Sequence, residues 1–126
     1  MTKEIDSNNL YKKCYAFAIR IVKAHQHLST EKREFTLSKQ LLRSGTSIGA
    51  NVAEANGGIS VADFSSKISL AYKETLETKY WLSLLRDTGY LEIAIAESML
   101  VDADELSKIL FSILKSTRIN SKESGK

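Results

Sequence analysis

Residues 41–55 read Leu-Leu-Arg-Ser-Gly-Thr-Ser-Ile-Gly-Ala-Asn-Val-Ala-Glu-Ala. Leu41, Leu42, Ile48 and Val52 recur at helical spacing, and neither this stretch nor any other part of the chain contains proline. The segment therefore reads as the interior of one long helix. Gly45 and Gly49 stand four apart and Ser38 lies seven residues before the first, so one strip of the helix lacks side-chain bulk. Glycine inside a helix costs about 1 kcal/mol relative to alanine. The expected compensation is the close approach of another backbone along the strip. Charged residues surround it, which argues against a membrane-type small-residue motif.

The same periodicity extends to both sides, and sustained period-two alternation occurs nowhere. A first helix is predicted from about Asn8 to Leu28, with Leu10, Cys14, Phe17, Ile21 and Leu28 inward and Ser7 or Asn8 as its cap. The second is predicted from Thr30 to Asn56, with Phe35 added to its apolar set and Gly57-Gly58 closing it in a left-handed cap. Ser60 and Asp63 have the spacing of a capping box for a third helix ending near Gly89. Its seam is Phe64, Ile68, Ala71, Thr75, Thr78, Leu82 and Leu85. The fourth runs from Glu92 to Arg118 with Ala96, Met99, Leu100, Ala103, Leu106, Leu110, Ile113 and Leu114 inward. Helices of this length joined by short connections pack as antiparallel neighbours. The expected fold is all-α, an up-down-up-down four-helix bundle over residues 1–119, followed by a polar flexible tail at residues 120–126.

With 126 residues the chain is long enough for one core without disulfides or metals. One cysteine, Cys14, offers no intramolecular disulfide and sits on the apolar stripe, where it reads as a small core residue. Lys12, Lys13, Arg20 and Lys23 interrupt the first apolar segment, so neither a signal-peptide core nor a bilayer span is expected, and the localisation expected is cytoplasmic. The net charge is +3, but residues 1–53, 54–105 and 106–126 carry +5, −6 and +4. Charge segregated in this way offers a basic face to an acidic partner or pairs the chain's own segments.

Lys12, Lys13, Arg20 and Lys23 fall within about 100° of arc on the first helix, opposite its apolar stripe. Lys32, Lys39 and Arg43 fall within about 40° on the second. Two such rows suit a phosphate backbone, with solvated helix faces as the plainer alternative. On the third helix Leu70, Trp81 and Leu84 project away from the seam, on the side of Glu74 and Glu77, and suggest a subunit interface. Tyr11, Tyr15 and Tyr72 have faces that could stack on bases, although at helical spacing such residues more often belong to cores or interfaces. His25 and His27 point about 200° apart, and no Glu-x-x-His pair occurs in the third or fourth helix, so no metal site and no cofactor are expected. No serine elbow or phosphate-cradling glycine loop is present, and no enzyme activity is expected.

Residues 41–55, Phe64 and the stretch Ala71-Tyr72-Lys73-Glu74-Thr75-Leu76-Glu77-Thr78 resemble the four-helix-bundle family encoded within intervening sequences of bacterial 23S rRNA genes. The signature residues are Ser47, Ile48, Asn51 and Glu54, then Glu74, Glu77 and Thr78. Where members often carry proline, this chain has Gly49-Ala50, so an unbroken second helix is expected. The family includes the accessory variability protein of diversity-generating retroelements, a basic barrel-shaped homopentamer that binds nucleic acid and a reverse transcriptase. The resemblance implies a ring-like homo-oligomer, a pentamer, with RNA or DNA and a protein partner such as a reverse transcriptase. From their own positions Asn51, Glu54, Glu74 and Glu77 are expected to fix helix register. The function expected is a non-enzymatic oligomeric bundle that associates with structured RNA or DNA through the basic rows. The alternative is a protein-protein interaction scaffold without nucleic-acid binding.

Overall fold

The computed structural model describes the backbone of residues 2–124 and the side chains of residues 9–117. Four helices follow one another: α1 (Thr2–Thr30), α2 (Thr36–Asn56), α3 (Val61–Asp87) and α4 (Ile93–Ser124). No strand occurs among the described residues. The contacts show the directions of the helices. On α1 and α2, Ile21 lies against Gly45 and Cys14 against Gly49, and on α2 and α3 Ser44 meets Thr78 while Glu54 meets Lys67. Lys79 reaches Asp104 and Tyr72 packs on Phe111; Lys13 reaches Glu105 and Arg20 reaches Asp102. In every pairing the residue number rises on one helix as it falls on the other, so the bundle is antiparallel throughout. Among the described residues the backbones of the diagonal pairs do not come close to each other, and α1 approaches α4 less closely than the other neighbours approach.

The core is formed by the predicted stripes. Leu10, Cys14, Phe17, Ile21 and Leu28 are buried from α1, Leu41, Ile48 and Val52 from α2, Ile68, Ala71, Leu82 and Leu85 from α3, and Ala96, Met99, Ala103, Leu106 and Leu110 from α4. Burial of this apolar area is the main favourable contribution to folding. Thr75 and Thr78 also lie in the seam of α3. Their hydroxyls donate to the Tyr72 and Glu74 carbonyls at 2.6 and 2.7 Å, and the Ser44 hydroxyl lies 2.9 Å from that of Thr78. Satisfied within the helices, these groups escape the penalty of a buried unpaired hydroxyl. The bare strip on α2 is tightly packed by α1, at Gly45 by a side chain and not by the expected backbone: a Cβ on Gly45 would fall 2.6–2.8 Å from Ile21 side-chain carbons, and one on Gly49 would fall 3.3 Å from Cys14 Cβ and 3.7 Å from its backbone carbon. Helix α2 runs through Gly49-Ala50 without a break.

Several expected boundaries shift. Helix α1 begins at Thr2, so Ser7 and Asn8 lie inside it, and it continues to Thr30. Helix α2 therefore starts at Thr36, and the reason is Glu34: its carboxylate accepts the backbone N–H groups of Thr36, Leu37 and Ser38 at 3.3, 3.1 and 2.7 Å. That satisfies donors a helix start otherwise leaves orphaned. Arg33 turns the connection with φ 52, and Phe35, expected in the core, is exposed just before the helix. Gly57 closes α2 at φ −94, not in the left-handed region. That conformation occurs instead at Gly89 after α3, φ 83, where the Tyr90 and Leu91 N–H groups return to the Leu85 carbonyl. Ser60 caps α3 as predicted, accepting the Asp63 N–H at 3.0 Å. Helix α4 starts at Ile93 and passes the predicted end to reach Ser124; the side chains of residues 118–126, which include the expected tail, lie outside the described residues.

Candidate nucleic-acid interface

The seven expected phosphate-binding cations do not form two matching rows. On α1, Lys13 Nζ lies 3.2 Å from Glu105 Oε2. Arg20 meets Asp102 Oδ2 at 2.6 Å and donates to Ser98 Oγ at 3.1 Å. Both therefore turn toward α4. Arg43 on α2 turns toward α3, with one guanidinium nitrogen 3.2 Å from Glu74 Oε2 and the other bonded to Glu77. Lys32 is not on α2 at all, because the Glu34 cap leaves it in the connection at residues 31–35. The predicted row of Lys32, Lys39 and Arg43 is thus broken, its first member lying in a loop and its last neutralised by two carboxylates.

The other four behave differently. Lys12, Lys23, Lys32 and Lys39 are exposed, and among the described residues none forms an ion pair. At 100° per residue Lys12 and Lys23 share one outer edge of α1, about 20° apart. Lys32 and Lys39 lie at the end of the bundle where α1 passes into α2. There the His25 Nδ1–H donates to the Ser38 carbonyl at 3.2 Å, holding the C-terminal part of α1 against the first turn of α2.

The family-signature carboxylates act between helices. Glu77 is bound by the Trp81 indole N–H at 3.0 Å and by Arg43, which hold its carboxyl below the ordinary value. In return the Glu77 hydrogen bond raises the Arg43 guanidinium further. Glu54 accepts Lys67 from α3 at 2.9 Å and raises that ammonium. Asn51 instead donates to the Ser47 carbonyl at 2.8 Å, within its own helix. The expected interface residues are not equivalent either. Leu70 is exposed, whereas Trp81 and Leu84 are half-buried, and Trp81 packs on the core with Tyr80 edge-on against it, ring centroids 4.9 Å apart.

Two exposed apolar surfaces went unidentified as such in the sequence. Tyr11, Tyr15, Ile19 and Val22 form a row along α1, 38–59% exposed. It lies about 155° round from Lys13 and Arg20, hence on the α2-ward flank. Their spacing of four, four and three was the signal that could have found it. On α3, Leu76 and Tyr80 are exposed one and two turns beyond Tyr72, on which the exposed Phe111 of α4 packs. A cleft of about 160 Å³ lies between α1 and α4, lined by Ala16, Phe17 and Leu106 and rimmed by the two ion pairs. Burial pushes the Cys14 thiol up to about 12, so it is no nucleophile near neutrality. Among the described residues no group of three or more His, Cys, Asp or Glu could hold a metal ion, and no helix is long and apolar enough to cross a membrane.

The family model for the 23S rRNA-intervening sequence protein matches residues 6–112. A crystal structure from Bacteroides thetaiotaomicron VPI-5482, of a protein with unknown function from the S23 ribosomal protein family, superposes with a TM-score of 0.85 at 47% sequence identity. The match covers 87% of this chain and 98% of that one. The comparison with curated proteins yields no match.

Proposed function

The chain belongs to the 23S rRNA-intervening sequence protein family, and on that premise we propose that it is a non-enzymatic, self-associating bundle that holds structured RNA or DNA by its phosphates. The supporting observation is the division among its cations. Carboxylates of α3 and α4 occupy Lys13, Arg20 and Arg43, while Lys12, Lys23, Lys32 and Lys39 stay exposed and unpaired among the described residues. An unpaired ammonium offers its full charge to a phosphate and releases a counterion on contact. Base edges are not addressed by such contacts, so recognition follows shape and not sequence.

Self-association is supported by exposed apolar residues on α3. Leu70, Leu76 and Tyr80 are exposed there, and Tyr80 packs edge-on against the half-buried Trp81. Covering such residues with another copy is favourable, and a head-to-tail contact closes into a ring when the rotation allows. Five copies is the number the family resemblance implies.

The test is fluorescence anisotropy of a labelled RNA hairpin and a DNA duplex over a salt series, with Lys12→Glu/Lys23→Glu/Lys32→Glu/Lys39→Glu as the control. Log affinity falling linearly with log salt, and a slope smaller in magnitude by about three to four in the variant, is the expected result. Equal binding by variant and parent, or none by either, would leave a protein-interaction scaffold. Sedimentation of parent and Leu76→Asp/Tyr80→Asp reads the assembly separately.

A further inference from the structure

The α1 row carries an aromatic pair that the phosphate contacts leave unused. Tyr11 and Tyr15 project from successive turns with ring centroids 6.2 Å apart and planes inclined by 33°. They are 38% and 59% exposed. Lys12 and Lys23 stand about 60–80° further round the same helix from Tyr15, at axial offsets of about 4.5 and 12 Å. A pair of open aromatic faces is thus edged by two ammonium groups without carboxylate partners among the described residues.

We infer that Tyr11 and Tyr15 form a stacking platform for unpaired bases, with Lys12 and Lys23 holding the adjoining phosphates. This rests on the nucleic-acid reading above and narrows its ligand: the strand at this site is a loop, bulge or single-stranded segment, because a duplex keeps its base faces covered by their neighbours. Every base has a π-face, so the platform tolerates any sequence. Charge complementarity favours this occupant over a second copy of the chain. The described acids that a copy could present from α4, Asp102, Glu105, Asp104 and Glu97, already lie against Arg20, Lys13, the pair Lys79 and Lys108, and Arg86. A polyanion meets the lysine edge directly.

The experiment compares two labelled RNA hairpins with the same stem and the same number of phosphates, one with a normal loop and one with an abasic loop, against the full chain. The parent is expected to bind the normal loop about tenfold tighter. Tyr11→Ala/Tyr15→Ala removes that preference and binds both hairpins as the parent binds the abasic one, with an unchanged salt slope; Tyr11→Phe/Tyr15→Phe keeps it. Circular dichroism confirms that these surface variants are folded. The inference falls if the parent does not distinguish the loops, if the alanine variant still does, or if that variant sediments as a smaller assembly, which would place the tyrosines between copies. Loss of binding to both hairpins in Lys12→Glu/Lys23→Glu, with no loop preference in the parent, would overturn stacking and leave the phosphate reading standing. Binding of neither hairpin by the parent would overturn both.

Discussion

Gly45→Ala separates helix propensity from packing, because the two act in opposite directions at this position. Alanine favours the helix by about 1 kcal/mol. Its Cβ would sit 2.6, 2.7 and 2.8 Å from Ile21 Cγ1, Cδ1 and Cγ2. Ile21 is fully buried, and two of those atoms branch from its own Cβ, so the side chain cannot swing clear without leaving its preferred χ1 rotamer. Relief requires α1 and α2 to separate, and overpacking of this kind costs about 1–3 kcal/mol. The collision therefore outweighs the propensity gain, and a net loss of about 1 kcal/mol is expected, or roughly 4 °C in Tm for a chain of this size. The informative step is to repeat the substitution in an Ile21→Ala background, where the colliding atoms are gone. There Gly45→Ala should stabilise by about 1 kcal/mol, the propensity term alone. Urea unfolding followed by circular dichroism measures all four proteins of the cycle. A Gly45→Ala effect of the same sign in both backgrounds would refute the claim that glycine is required here by the approach of Ile21.

At Gly49 the nearest contact is a looser 3.3 Å to Cys14 Cβ, so Gly49→Ala should be close to neutral in the same unfolding assay. The Glu77 carboxylate is held below its ordinary value first by Trp81 and then by Arg43; its contribution is present above the unfolded value of about 4.5 and is lost as pH falls through the lowered folded one. The stability gap between parent and Arg43→Gln should therefore narrow on acidification, and a gap constant from neutrality to about pH 3 would show that the carboxylate is not the partner that matters. Cys14, with its thiol pushed up to about 12 by burial, should react with a thiol-exchange reagent only at the rate of unfolding; labelling of the native protein at the speed of a free thiol would contradict its place in the core. Asp102→Asn/Glu105→Gln removes the carboxylates that hold Arg20 and Lys13. Little change in Tm is expected from such exposed pairs, but hairpin binding should tighten and its salt slope steepen by about two; unchanged binding would mean that internal pairing does not silence these cations.

The bundle was legible because its evidence is periodic and local. Leu10 through Leu28 on α1, and Ile68 through Leu85 on α3, carry the 3.6-residue repeat without interruption, and buried Thr75 and Thr78 fit it because a helix can satisfy a hydroxyl from its own carbonyls. The connection between α1 and α2 was misread for the converse reason. Residues 30–35 contain no proline or glycine, so nothing in composition marks a break there. The break is made by one carboxylate, Glu34, gathering three backbone N–H groups. That arrangement depends on the angle at which α1 meets α2, which no spacing rule contains.

The basic rows failed at a different level. Their angular arithmetic was sound for α1, yet a helical wheel cannot say which neighbour stands beside each flank. Lys13 and Arg20 differ from Lys12 and Lys23 by about 60–100° of arc. That arc decides whether a cation faces α4, with its Asp102 and Glu105, or open solvent. The uneven charge, +5 before residue 54 and −6 up to residue 105, carries both outcomes at once. Part of it is consumed in joining α1 and α2 to α3 and α4, and among the described residues of the first stretch Lys12, Lys23, Lys32, Arg33 and Lys39 are left without a carboxylate partner. A net charge of +3 therefore understates the local field along the outer edge of α1, where Lys12 and Lys23 stand without carboxylate partners among the described residues, whereas at the α1–α2 connection Glu31 and Glu34 lie among Lys32, Arg33 and Lys39. A phosphate backbone responds to that local arrangement and not to the total.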